Sequence, residues 1–92
     1  MKQFVVVAYD ISDDKRRQRF AKTLTNFGVR CNYSVFECLL TESQIKTMQK
    51  RLNKIVDSRE DCILYYYLCK SCVCKRETMG QQSGLRSEIV WV

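Results

Sequence analysis

The residues best suited to chemistry lie close together near the start of the chain. Asp10 ends an apolar run, Phe4–Tyr9. Asp13 and Asp14 follow, and then Lys15, Arg16, Arg17 and Arg19 put four bases into five positions. A carboxylate beside guanidinium groups suits a phosphodiester. The carboxylate can hold a divalent cation that keeps most of its waters, and the guanidinium groups can grip phosphate oxygens. The same residues also describe a helix cap followed by a solvated helix face. From spacing alone the stronger reading of Asp10 is a turn residue bonding backbone amides, and both readings stay open.

Other chemistries are excluded by what the chain lacks. There is no histidine, so Ser/His and Cys/His nucleophile pairs have no base. No P-loop and no GxGxxG occurs, which removes support for nucleoside-triphosphate or dinucleotide chemistry. Cys69-x-x-Cys72-x-Cys74 has part of a zinc spacing, but a fourth thiolate would have to come from elsewhere or from a second subunit. The cysteines are therefore read as small buried hydrophobes.

Composition narrows the partner. The chain has 16 Lys+Arg against 10 Asp+Glu, a net charge of +6. Residues 1–30 hold seven bases and three acids, so +4 of that excess sits in the first third. A basic excess on one element points to an anionic partner, with nucleic acid the leading candidate. The alternative is a charge that only keeps a small domain in solution. The opening MKQFVVVAYDIS lacks the long apolar stretch of a signal peptide, and no run approaches a membrane span. A cytoplasmic protein with reduced thiols and no membrane partner is expected.

The elements that must position these residues follow from periodicity. A length of 92 residues, 46% of them hydrophobic, without proline and with three glycines, describes one ordered domain over residues 1–92. Phe4–Tyr9 reads as a buried strand. Ser12 to Asp14 start a helix carrying Phe20, Ala21, Leu24 and Phe27 at helical spacing, with Gly28 as its stop. On that helix Lys15, Arg16, Arg19 and Lys22 face mostly away from the apolar stripe. Residues 29–40 read as two strands, or one strand bent near Asn32–Ser34. Thr41-x-x-Gln44 is a capping box, and Ile45, Met48, Leu52 and Ile55 form the next stripe. Residues 61–68 are a further strand, which residues 71–77 extend or pair with. Turn chemistry over residues 77–84 precedes a terminal strand over residues 87–92. The order is β-α-β-β-α-β, an α+β ferredoxin-like plan with both helices on one face of an antiparallel sheet. The additional C-terminal strand, ending in Trp91-Val92, would be exchanged or added across a homodimer.

VVVAYDISDDKRRQRFAKTLTNFG followed by RCNYSVFECLLTESQ resembles the CRISPR-associated protein 2 family. The matching features are Tyr9-Asp10, Asp13, Arg17, Gly28, Tyr33-Ser34-Val35-Phe36-Glu37 and the terminal Glu88-Ile89-Val90-Trp91. The resemblance implies a ferredoxin-like homodimer in which two copies of Asp10 share a magnesium ion, or manganese in its place. It places Tyr9, Arg17, Arg19, Arg30 and Phe36 around that cleft as catalytic positions, with Ser34 beside it. It further implies a metal-dependent endonuclease acting on single-stranded RNA or double-stranded DNA. The implied cellular role is spacer acquisition with the CRISPR-associated integrase.

Two function classes follow. In the enzyme, Asp10 of both protomers holds the metal, Arg17, Arg19 and Arg30 clamp phosphates, and Phe36 or Tyr9 packs the cleft or stacks on a base. In the scaffold, favoured as the biological role, Lys15, Arg16, Arg17, Arg19, Lys22 and Arg30 hold duplex DNA without sequence preference, and Asp10 is catalytically idle. A toxin-like ribonuclease of the same fold is a third reading.

Overall fold

A computed structural model of the chain describes residues 1–80, 84 and 85. Its elements in order are β1 (Lys2–Asp10), α1 (Asp14–Leu24), β2 (Gly28–Asn32), β3 (Val35–Thr41), α2 (Glu42–Asn53), β4 (Cys62–Leu68) and α3 (Lys70–Cys74). The strands form one sheet in the order β2-β3-β1-β4, with every neighbouring pair antiparallel. This is the ferredoxin-like arrangement. The expected terminal strand over residues 87–92 lies outside the described residues.

α1 and α2 each start where the sequence provides a cap. Asp13 accepts the Arg16 amide at 2.9 Å. Thr41 and Gln44 satisfy each other's amides at 3.3 and 2.8 Å, so both orphan donors of that turn are paired. Strand alternation then divides the sheet. Val5, Val7 and Tyr9 of β1 and Phe36, Cys38 and Leu40 of β3 meet Phe20, Leu24, Ile45, Met48 and Leu52 from the helices. Burying each large apolar side chain here contributes about 1.5–3 kcal/mol.

Among the described residues the opposite face is covered only at one end. There Val73 of α3 packs on Phe4, with Val6, Leu39, Leu68 and Leu85 around them. Towards the other end Leu64 pairs with Ala8 and Tyr66 with Val6, and both β4 side chains remain about half exposed. β1 is a continuous apolar run because it is central and its residues near Phe4 are covered on both faces.

Three sequence expectations need correction. Residues 71–77 do not extend the sheet. Lys70–Cys74 form a short helix with Cys69 at the N-cap position and no side-chain cap bond, because the single large apolar residue here, Val73, is buried by turning back onto Phe4 rather than by alternating along a strand. Gly28 does not end α1 in a left-handed turn, since the cap is Thr25 and Gly28 opens β2. Its lack of a side chain is required by close approach: a Cβ there would collide with the Glu37 carbonyl and come within 2.5 Å of Cys38 Sγ. Nor are the cysteines generally buried, for only Cys38 is, while Cys62, Cys69, Cys72 and Cys74 are exposed.

Candidate functional site

Asp10 and Tyr9 end the central strand on opposite faces. Asp10 is exposed and opposes Cys62 in the ladder, so it belongs to the face carrying Ala8, Val6 and Leu64. Among the described residues no side chain pairs with it. The turn that follows is stabilised by other acids. Asp13 caps α1, and Asp61 accepts the Ser12 amide at 3.4 Å and the Asp57 amide at 2.8 Å. Asp61 is sealed from solvent and takes the Arg16 guanidinium at two points, 3.1 and 3.0 Å. That pairing, with the backbone amides, holds its carboxyl below the usual range. The backbone-bonding role open to Asp10 in the sequence is therefore taken by Asp13 and Asp61.

Arg16 is correspondingly committed. Its guanidinium pairs with Asp61 and reaches Glu60 at 3.5 Å, which removes it from the phosphate-gripping set expected of α1. Lys15, Arg19 and Lys22 are exposed and line a shallow strip of α1 with Gln18. None of the three is ion-paired among the described residues.

Tyr9, Arg17 and Arg30 form a separate group on the helix side. With Gln18, Ala21 and Tyr33 they line a cavity of about 120 Å³. Arg17 donates to the Ile11 carbonyl at 3.0 Å and pairs with Asp14. Arg30 lies over the Phe36 ring, 5.3 Å from its centroid. The Tyr9 phenol is pushed up by burial, against the opposing pull of the nearby Arg30 charge. Phe36 is fully buried. It packs beneath Arg30 and has no surface on which a base could stack, so the stacking role expected of it is not available. Ser34 contributes its carbonyl, which accepts the Tyr9 amide at 3.1 Å.

The single cleft expected around Asp10 is thus divided by the sheet. Asp10 occupies the open face, Tyr9, Arg17, Arg30 and Phe36 the helix face, and Arg19 the outer surface of α1.

Among the described residues no three Cys, Asp or Glu side chains gather as a metal site. One carboxylate is still enough for magnesium if further ligands come from water, a phosphate or a second carboxylate. The donor chemistry at Asp10 fits a hard cation on that condition.

The family model for CRISPR associated protein Cas2 matches residues 1–76. The chain belongs to that family. A Synechocystis Cas2 protein named as a CRISPR-associated endoribonuclease is 43% identical over 76 residues, covering 83% of each chain. A Thermus thermophilus Cas2 protein of the same name is 39% identical over 85 residues, 92% of this chain and 90% of its own. The crystal structure of Streptococcus pyogenes Cas2 superposes with a TM-score of 0.75 at 34% identity, over 84% of this chain and 99% of that one. Relatives of this Cas2-family chain are thus named as nucleases. Among its described residues no helix is long and apolar enough to cross a membrane.

Glu37, Asp61 and Tyr33 were not among the sequence candidates. Glu37 is buried on the open face, accepting from Arg76 Nε at 2.5 Å and the Leu85 amide at 2.8 Å. Its signal was an acid inside the apolar run VFECLL, since a buried carboxylate requires partners. Asp61, among the charges before β4, carried no comparable signal.

Proposed function

We propose that this Cas2-family chain is a phosphodiester-binding protein that works as a homodimer, with Asp10 of each copy contributing to one divalent-cation site. The observation that carries this reading is an exposed carboxylate that, among the described residues, has no partner and stands at the margin of an apolar sheet face those residues half cover. Packing two such faces about a two-fold axis would cover Leu64 and Tyr66 and bring the two Asp10 carboxylates towards each other. Facing carboxylates repel unless a cation or a proton lies between them. Magnesium or manganese, when bound, would polarise a phosphodiester and supply an activated water.

The chain's own groups would bind and orient the substrate. Lys15, Arg19 and Lys22 offer charge to backbone phosphates, while Arg17 and Arg30 present guanidinium groups at the cavity beside Tyr9. Single-stranded RNA and double-stranded DNA are the substrate classes. In spacer acquisition the same basic surface would hold duplex DNA beside the CRISPR-associated integrase. A scaffold without hydrolysis is favoured by one observation: the described residues of one chain bring no second metal donor to Asp10.

Cleavage of labelled RNA and duplex DNA in magnesium separates the two readings, with Asp10→Asn prepared alongside and duplex binding measured in the same samples. Loss of cleavage with retained binding supports the hydrolase. Equal cleavage by both proteins, or none by either, removes the catalytic role and leaves the scaffold.

A further inference from the structure

We propose that Cys69 and Cys72 form a redox-active dithiol that closes reversibly into a disulfide on α3. Cys69 is the N-cap of that helix and Cys72 lies three residues on, the spacing that sets two side chains on the same side of a helical turn. Both are exposed. The Ser71 hydroxyl lies 3.2 Å from Cys69 Sγ. Cys74, two residues beyond Cys72, falls on a different side of the helix. Val73, buried against Phe4, anchors the turn that carries both thiols.

The chemistry of the pair is asymmetric. The Ser71 hydroxyl and then the Cys72 amide lower Cys69 to about 7, while the neighbouring Cys69 raises Cys72, which keeps its proton. Cys69 is therefore the attacking thiolate and Cys72 the resolving thiol. With a low-molecular-weight disulfide, Cys69 sulfur displaces one thiolate and forms a mixed disulfide. Cys72 then loses its proton, and its sulfur displaces the second thiolate from Cys69. Two electrons pass from the dithiol to the reagent, which leaves as two thiols carrying the two protein protons. A metal role is disfavoured because no third Cys, Asp or Glu joins the pair among the described residues. The site lies at the root of the segment that Arg76 and Leu85 fasten to Glu37.

The test uses the full chain, reduced and then exposed to glutathione disulfide, with Cys62→Ser and Cys74→Ser in every sample so that only one pairing on this segment can form. Cleavage after Lys70 separates residues 60–70 from 71–75, so a Cys69–Cys72 bond appears as two joined peptides without retained glutathione. Adding Cys72→Ser leaves glutathione on Cys69. In a separate alkylation of the reduced wild-type chain at neutral pH, Cys69 reacts about sixfold faster than the exposed Cys62, the gain in thiolate fraction being partly offset by lower nucleophilicity. The proposal is overturned if the folded protein keeps glutathione as stably as the Cys72→Ser form, if the two peptides do not join, or if Cys69 alkylates no faster than Cys62.

Discussion

Tyr9 and Asp10 are adjacent in the chain, yet their side chains leave the sheet on opposite faces. The Tyr9 ring packs 4.7 Å from the Phe20 ring beneath α1, while the Asp10 carboxylate stands in solvent beside Cys62. A Tyr-Asp pair at a strand end therefore serves two compartments at once. The tyrosine fixes the strand end against the helix layer, and that anchoring leaves the carboxylate at a defined place on the other surface.

The Arg16–Asp61 pair makes acid sensitivity specific. The folded Asp61 carboxyl is lowered, first by the Arg16 hydrogen bonds. Its stabilising contribution is fully present above the unfolded value of about 3.9 and is lost as pH falls through the lower folded value. Urea midpoints measured between about pH 6 and about pH 3 should fall more steeply for the natural chain than for Asp61→Asn. Equal slopes would contradict the pairing.

The bases of α1 should separate into two kinds. Arg19→Gln and Lys22→Gln should each weaken duplex binding and reduce the salt slope by about one phosphate contact. Arg16→Gln should leave that slope unchanged, because its guanidinium already faces Asp61. Fluorescence anisotropy across a salt series reads both, and an Arg16 effect as large as that of Arg19 would reverse the assignment.

Glu37 holds the C-terminal segment to the sheet through Arg76 and the Leu85 amide. Glu37→Ala removes both acceptors from a buried site and should cost about 3 kcal/mol, with faster amide exchange at Leu85. Glu37→Gln keeps an acceptor for that amide and should cost less. Denaturant unfolding and hydrogen exchange together check the ranking.

Much of the fold was legible because local signals agreed with the global pattern. The apolar run ending at Tyr9, the Thr41–Gln44 capping box and the stripe Ile45, Met48, Leu52 each name one element and one buried face. Residues 71–77 misled because a lone valine among cysteines carries no period, and only the contact with Phe4 decides its conformation. For the site, sequence located Asp10 and the bases but not how they are shared out. The commitment of Arg16 to Asp61 spans 45 positions, and the division of Tyr9 from Asp10 by the sheet depends on where β1 lies between β3 and β4. Neither is encoded in spacing along one segment.

Asp10 is proposed as a cation ligand shared between two copies. The direct measurement is a calorimetric titration of magnesium, with manganese as a second probe, into the natural protein and into Asp10→Asn. Sedimentation and melting of both proteins are recorded alongside. Because Asp10 is exposed and unpartnered among the described residues, the substitution should leave the melting temperature within about 3 °C. The predicted result is one cation per two chains for the natural protein and none for Asp10→Asn, with both sedimenting as dimers. One cation per chain, or unchanged binding by Asp10→Asn, would contradict the shared site.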